Sequence, residues 1–272
     1  MVRSDPDPDA GRYLWDPLGG AFDRRALDGA HAVIHLAGEN VFALRWSESK
    51  QKRIRDSRER GGATVCEAVR DHGGVHALVS ASAIGYYGNV PEGTVDESSP
   101  KGEGFLAEVC EAWEKPVREL ADAGVRTVSA RIGVVMTPAG GALGLMKLPF
   151  SLGLGGPIGS GDQGFPWVSI DDTVRALHWC AMRSDVSGPV NVVAPEQLSQ
   201  KEFAKALAGV MNRPAVLPAP AFALRLMSGE LADQIFLKGS RVVPGALAAS
   251  GFAFRDDRAR SAMARLLGRP AR

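Results

Sequence analysis

The sequence predicts an α/β protein built on a parallel sheet, and three observations support that fold class. Short apolar runs alternate with segments of helical periodicity, an order typical of βαβ units. The run at 32–38 is apolar and closed by Gly38, as expected for a buried parallel strand that opens onto a ligand crevice. The chain has 272 residues, of which 45% are hydrophobic, and this is enough for a sizeable core.

The elements of this sheet are expected mainly in the first 215 residues. Apolar runs predict strands at 32–38, 76–80, 125–131 and 189–193. Helical periodicity and capping residues predict helices at 47–60, 105–121, 172–182 and 199–211. Asp171 and Asp172 are the expected cap of the third of these helices. A glycine-rich loop is expected from Thr137 to Gly164.

The chain is expected to form two domains, at 1–215 and 216–272. The second would be small and mainly helical, because it carries helical patterns at 219–236 and 257–267 and no further strand pattern. The helix at 47–60 has a basic face, for which a solvated surface is the simplest interpretation. That face consists of Lys50, Lys52, Arg53, Arg55 and Arg58.

The composition of the chain indicates which binding partners and which cellular compartment to expect. The net charge of +1 gives no reason to expect a nucleic acid or an anionic membrane as partner. The three cysteines are widely spaced, as expected for reduced thiols in the cytoplasm. No signal-peptide or membrane-span pattern is present, and the histidines lack metal-ligand spacing, so no metal site is expected. His35 lies inside an apolar strand and is expected to be a satisfied core residue.

Two segments carry the residues with possible chemistry. The first is Leu36 to Glu39, and the second is Ser80 to Gly88, which combines small residues, hydroxyls and glycines at the end of a strand. Ligands of parallel sheets lie beyond the carboxyl ends of the strands, so both segments could face one crevice. A tight turn with a packed tyrosine is the alternative for the second segment.

Together these segments resemble the short-chain dehydrogenase/reductase superfamily of the extended type, and within it the "epimerase family protein" branch. The resemblance covers nearly the whole chain, and the GFAFR at 251–255 resembles the small domain of unknown function that closes this branch. Its motifs are LAGE at 36–39, RWSESKQKRIRDSR at 45–58, SASAIGYYG at 80–88, FLAEVCEAWE at 105–114, ARIGVV at 130–135 and GLGGPIGSGDQGFPWVSIDD at 153–172.

The resemblance implies a Rossmann-like sheet that binds NADP, with NAD less favoured, and a small-molecule substrate. Arg3 would pair with the ribose 2′-phosphate, although a surface arginine beside Asp5 is an equal alternative. Ser82 would match the catalytic serine. The other residues implied at the cofactor are Leu36, Ala37, Gly38, Glu39, Ser80, Ile132 and Gly133.

One departure from the family concerns the start of the chain. Residues 1–30 hold no glycine-rich phosphate loop, whereas the family places one after a first strand. We therefore expect an N-terminal truncation of the Rossmann-like sheet.

A second departure concerns the chemistry. The superfamily uses Tyr-x-x-x-Lys, in which the lysine lowers the tyrosine pKa for proton exchange during hydride transfer. Alignment puts Phe105 and Val109 at those two positions, and neither side chain can donate a proton. Tyr86 or Tyr87 with Ser82 could replace the dyad, or an acid such as Glu39 or Asp172 could do so.

Three hypotheses of function follow. The protein is an NADP(H)-dependent oxidoreductase or nucleotide-sugar-epimerase-like enzyme with a non-standard active site, or it binds NADP(H) without turnover as a regulatory or interaction protein connected with cell division. The third possibility is an inactive fragment. On the substrate side, the loop at 153–159 and Trp167 are the best candidates, because an aromatic ring could stack on a planar or sugar-like group. A structural crossover loop is the alternative.

Overall fold

The computed structural model describes residues 1–2, 6–41, 47–219 and 237–270 of the chain. In chain order the strands are β1 (Trp15–Asp16), β2 (Ala21–Phe22), β3 (Ala32–His35), β4 (Ala77–Ala83), β5 (Thr94–Val95), β6 (Arg126–Ile132), β7 (Val134–Thr137), β8 (Trp167–Ser169), β9 (Gly188–Val192) and β10 (Arg241–Val242). The α-helices are α1 (Glu48–His72), α2 (Phe105–Asp122), α3 (Gly141–Ser151), α4 (Ile170–Met182), α5 (Gln200–Met211), α6 (Gly245–Ala249) and α7 (Ala259–Leu266).

The central sheet contains four parallel strands in the order β3-β4-β6-β9. Helix α1 lies between β3 and β4, α2 lies between β4 and β6, and α3 and α4 lie between β6 and β9. This is the βαβ order of a Rossmann-like sheet, so the predicted fold class is confirmed.

The core lies on both faces of this sheet because successive side chains of a strand point to opposite faces. Leu78 faces α1 and α2, where it packs with Val69 and Val117. Its neighbour Val79 faces the other way and packs with Ala176 and Leu177 of α4.

Helix boundaries follow local chemistry, with one correction. Ser199 and Glu202 form the predicted capping box at the start of α5. At α4 the cap is Ser169, whose hydroxyl accepts the N–H of Asp172, so the assignment of the acidic pair as cap is wrong. Pro116 lies inside α2 and does not end it.

A second correction concerns the glycine-rich segment at 137–164, part of which forms α3. The leucines and the methionine of this segment favour a helix despite its glycines. Burial of Leu143 and Phe150 stabilises that helix through tertiary packing. The helix begins after Gly140 and with Gly141, whose φ of 57° favours glycine.

The C-terminal residues pack against the sheet-bearing part of the chain. β10 pairs with β5, and α7 packs on α5 around Met263 and Leu207. The buried carboxylate of Asp172 accepts the backbone N–H groups of Arg255 and Asp256. The described C-terminal residues at 237–270 contain the helices α6 and α7, and the predicted helical pattern at 219–236 lies outside the described residues except for Ala219.

Candidate functional site

A cavity of about 470 Å³ lies beyond the carboxyl ends of β4 and β6. Ala83 ends β4 and Ile132 ends β6, and both line this cavity together with Gly133. This is the edge at which parallel α/β sheets hold their ligands, and the volume is in the range of small-molecule sites.

Helix α2 forms one wall of the cavity with apolar side chains. Leu106, Val109, Cys110 and Trp113 line it, and their spacing of three and four residues places them on one helix face. Val109 is thus on the wall at the position where the family has its lysine. The structure therefore offers an apolar surface where the Tyr-x-x-x-Lys enzymes present a cation.

Gly133 brings backbone close to the cavity floor. A Cβ atom at this position would lie 2.6 Å from the carbonyl oxygen of Pro166 and 2.8 Å from Cγ1 of Val193. Both contacts are shorter than a real Cβ tolerates, so only glycine fits. The structure brings Ile132 and Gly133 to the cavity, as the resemblance implies, and their contact with a cofactor stays a prediction.

The segment Leu36–Glu39 lies beside the cavity instead of lining it. Leu36 is exposed, and the Glu39 carboxylate pairs with Nζ of Lys50 at 2.6 Å. The backbone N–H of Glu39 donates to Oγ of Ser57, which ties the segment to α1. Ala37 is partly buried against the core cluster that contains Val69 and Leu78, and Arg3 lies outside the described residues.

Ser82 points away from the cavity, and this changes the interpretation of the serine segment. Its hydroxyl is buried and donates to Oε1 of Glu114 at 2.7 Å. Ser80 is buried as well, and its hydroxyl donates to the carbonyl of Ala81. Because side chains alternate along β4, Ala83 faces the cavity and Ser82 does not. As placed, neither serine reaches a ligand in the cavity.

Tyr86 and Tyr87 belong to the same buried network as Ser82. The Tyr87 hydroxyl donates to Oδ1 of Asn191 at 2.7 Å and accepts from Nη1 of Arg131 at 3.0 Å. Burial raises the pKa of Tyr87. The Tyr86 ring lies 3.4 Å from the Arg131 guanidinium carbon. Neither tyrosine lines the cavity, so the structure does not bring them together with its ligand space.

Trp167 is a core residue, which corrects its expected role in stacking on a substrate. It is 0% exposed and packs against Phe203, with ring centroids 6.3 Å apart. The cavity wall is formed by its neighbours Phe165 and Pro166 instead. The pairing of β8 with β7 turns Trp167 inward, and that long-range pairing leaves no local sequence signal.

Arg58 is the cavity residue that sequence reasoning missed. The basic face of its helix is expected to be solvated, but Arg58 lines the cavity, and burial lowers the pKa of its guanidinium. Helical spacing in the sequence could have indicated this position, because Ile54, Ser57 and Gly61 are buried on the same side of α1. Helical spacing places Arg58 beside that face.

The titratable groups of the cavity wall are few. Within the described residues they are Arg58, Cys110 and Lys238, with no carboxylate, histidine or tyrosine among them. Burial raises the pKa of the Cys110 thiol to about 12, so this group stays protonated at neutral pH. Asp172, considered above as a replacement acid, lies away from the wall with its carboxylate bonded to backbone.

Two further features of the described residues bear on the class of site. No cluster of three or more histidine, cysteine or acidic side chains within the described ranges could hold a metal ion. None of the helices in the described part of the chain combines the length and apolar character needed to cross a bilayer.

The parallel sheet and the cavity at its carboxyl edge define a Rossmann-like α/β protein. A profile of the NAD-dependent epimerase/dehydratase family matches residues 21–193, and a domain of unknown function, DUF1731, matches residues 219–266. The chain therefore belongs to the NAD-dependent epimerase/dehydratase family, which confirms the resemblance seen in its motifs.

Individual relatives agree with this assignment. An epimerase family protein of Mycobacterium tuberculosis is 42% identical over 256 residues, which cover 94% of this chain and 85% of the relative. The crystal structure of human epimerase family protein SDR39U1 with NADPH is 33% identical, with a TM-score of 0.84, covering 88% of this chain and 82% of that one. A nucleoside-diphosphate sugar epimerase from Corynebacterium glutamicum is 33% identical with a TM-score of 0.80, covering 98% of this chain and 52% of that one.

Proposed function

We propose that the cavity binds the nicotinamide end of NADP(H) together with a small-molecule substrate. On this proposal the protein is an oxidoreductase or nucleotide-sugar-epimerase-like enzyme with a non-standard active site. The observation that carries the proposal is the apolar cavity at the carboxyl ends of β4 and β6, with Gly133 in its floor. Further support comes from the human relative, whose crystal structure contains NADPH.

The residues of the cavity fit a flat ring such as the nicotinamide, which is uncharged in NADPH. Val109, Ile132 and Val134 offer apolar surface, and Gly133 lets backbone approach the ring closely. When bound, NADPH would supply a hydride to the substrate, and in the reverse direction NADP⁺ would accept a hydride from it. The contribution of the protein would be to exclude water and to hold the substrate in a defined position.

The cavity restricts the kind of proton transfer that the protein itself can perform. Reduction of a simple carbonyl needs a proton at the oxygen, and a side chain with a pKa near the working pH gives this most efficiently. The described part of the wall offers no carboxylate, histidine or tyrosine, and Cys110 holds its proton too tightly. We infer that any proton comes from water, or that the acceptor needs none from the protein.

This absence favours a second candidate function, in which the protein binds NADP(H) without turnover as a regulatory or interaction protein. The specific observation is the replacement of the cation-bearing face of α2 by Leu106, Val109 and Trp113. Such a protein would retain the cofactor pocket and lack the groups for acid–base catalysis. A role connected with cell division belongs to this candidate.

The two candidates are distinguished by titration followed by turnover. Quenching of the protein's tryptophan fluorescence by NADPH and by NADH would measure binding, and tighter binding of NADPH would support the preference for NADP. Oxidation of NADPH would then be followed at 340 nm across a panel of aldehydes, ketones and nucleotide sugars. Consumption supports the enzyme, and binding without consumption supports the second candidate. No binding of either nucleotide contradicts both.

A further inference from the structure

Arg58 is held in a fixed position by three separate contacts. Its Nη1 atom donates to the carbonyl oxygens of Glu39 at 3.0 Å and of Ile54 at 3.2 Å. The guanidinium carbon lies 4.8 Å from the ring centroid of Trp113, a cation–π contact. The side chain is therefore preorganised, and a ligand that binds it would lose little entropy in ordering it.

Gly38 makes room for this position. A Cβ atom at residue 38 would lie 3.1 Å from the guanidinium carbon of Arg58. That distance is shorter than nearly all real Cβ contacts, so Gly38 lies directly against the arginine. Gly38 belongs to the segment at 36–39, which the family resemblance places under the cofactor. Arg58 lines the cavity, and Gly38 lies against the arginine without lining the wall.

Among the described residues, Arg58 forms no ion pair with a carboxylate, although the charge of Glu39 is close enough to act on it. No carboxylate oxygen of the described residues lies within 4.0 Å of its guanidinium nitrogens, whereas Lys50, Arg53 and Arg131 all have such partners. Of its five N–H donors, only those on Nη1 have acceptors among the described residues. The donors on Nε and Nη2 have no acceptor in the part of the chain that the structure describes, and they lie side by side in the geometry that binds an oxyanion.

Burial of this charge costs free energy and at the same time strengthens its attraction for an anion. Taking a cation out of water into an apolar wall disfavours the charged form, which is why the pKa of Arg58 is lowered. In such a low-dielectric setting an opposite charge is attracted far more strongly than in water. An anion that enters the cavity would therefore relieve the cost.

We propose that Arg58 is the anion-binding residue of the cavity and takes a phosphate or carboxylate oxygen pair of the ligand through Nε and Nη2. This deepens the proposed function and rests on the same cavity, because it names the chemistry that the site recognises. The anion can come from two sources, a phosphate of the dinucleotide or a carboxylate of the second substrate. The role is one of binding and orientation.

The test compares the wild-type chain with Arg58→Gln, Arg58→Lys and the control Arg55→Gln. Arg55 lies on the same helix, pairs with Glu108 at 3.0 Å and is absent from the cavity wall, so its substitution removes the same charge without touching the site. Isothermal titration would measure the affinity of inorganic pyrophosphate, of propionate and of NADPH. Circular dichroism would show that each variant is folded.

If the anion is a phosphate, Arg58→Gln weakens pyrophosphate and NADPH binding by about tenfold or more, because a charge-assisted bidentate contact is lost. Arg58→Lys recovers part of this loss, since it keeps the charge without the fork. Arg55→Gln stays within about twofold of the wild type. If the anion is a carboxylate, the same order applies to propionate, and NADPH is unaffected.

The outcomes separate this proposal from the proposed function. Binding of pyrophosphate or propionate that depends on Arg58, in a protein that does not bind NADPH, would contradict the cofactor assignment and keep the anion site. Equal affinities of the wild type and Arg58→Gln for all three probes would overturn the anion site, whatever the affinity for NADPH. A loss of affinity in Arg55→Gln as large as that in Arg58→Gln would overturn it as well.

Discussion

Arg131 and Glu114 form a bidentate ion pair in the interior of the protein. Nε and Nη2 of the arginine donate to the two carboxylate oxygens, each at 2.9 Å, and both side chains are only 4% exposed. The same arginine donates to the hydroxyl of Tyr87, and the same carboxylate accepts from Ser82. The pair thus joins β4, β6 and α2 behind the wall of the candidate site.

The first prediction is that Glu114→Gln destabilises the protein strongly. Removal of one partner leaves the Arg131 charge buried and unpaired, which costs about 3 to 5 kcal/mol in the free energy of unfolding. Urea denaturation followed by circular dichroism measures this change. As a control, Glu111→Gln removes the carboxylate from the exposed pair with Arg118 and should cost less than about 1 kcal/mol. Equal costs in the two variants would contradict the assignment of the buried pair.

The second prediction concerns Asp172, whose side chain is 1% exposed and joins α4 to the C-terminal segment. Asp172→Asn replaces a carboxylate oxygen by an N–H₂ group that faces the backbone N–H donors of Arg255 and Asp256. We expect a loss of about 3 kcal/mol in the free energy of unfolding, because charge-assisted hydrogen bonds are broken and donors are left buried.

Hydrogen exchange would locate the effect of Asp172→Asn. Amides of 252–264 should exchange faster, while those of β4 keep their protection. The exposed carboxylate of Asp185, which pairs with Arg183, provides the control, and Asp185→Asn should change stability by less than about 1 kcal/mol. Unchanged exchange at 252–264 would show that Asp172 does not hold this segment.

The sequence could predict what depends on local pattern. The order of strands and helices and the capping box at Ser199 follow from residues that are close together in the chain. Gly133 is implied by the family resemblance and not by a local pattern, and the structure brings it to the cavity.

What the sequence could not predict depends on side-chain direction. Ser82 and Ala83 are neighbours with opposite directions, and only the register of β4 decides which of them faces the cavity. Arg58 belongs to a run of basic residues that is typical of a surface helix. Only the packing of α1 against Trp113 shows that the Arg58 side chain turns inward. Trp167 has an aromatic ring that could stack on a ligand, but the pairing of β7 with β8 buries this side chain.

The third prediction separates Trp167 from Phe165. Trp167→Ala should lower the free energy of unfolding by about 3 to 5 kcal/mol, because it opens a large cavity in the core. Phe165→Ala should cost about 1 to 3 kcal/mol, since Phe165 is only partly buried, and it should weaken NADPH or substrate binding by removing cavity wall. Urea denaturation and isothermal titration measure the two effects. A Trp167→Phe variant that stays folded and loses affinity more than Phe165→Ala would return the stacking role to Trp167.

The last prediction is a dependence of stability on pH that comes from His35. Burial lowers the pKa of this histidine from 6.5 to about 4, and its Nε2 atom has no hydrogen-bond partner among the described residues. The ring lies edge-on to Trp15, with centroids 5.4 Å apart. The histidine is thus a core residue, as predicted, but one ring nitrogen is unsatisfied.

Because the pKa of His35 is lower in the folded state, the unfolded chain binds more protons between pH 6.5 and about 4. The contribution of His35 to stability is therefore complete above pH 6.5 and is lost as the pH falls through this window, by about 3 kcal/mol at most. His35→Phe keeps a ring against Trp15 and removes the titrating group, so its unfolding free energy should fall less between pH 7 and pH 4. Exposed His178 is the control: His178→Gln should retain the wild-type profile. Parallel profiles for the wild type and His35→Phe would show that burial of this histidine does not govern the acid sensitivity of the fold.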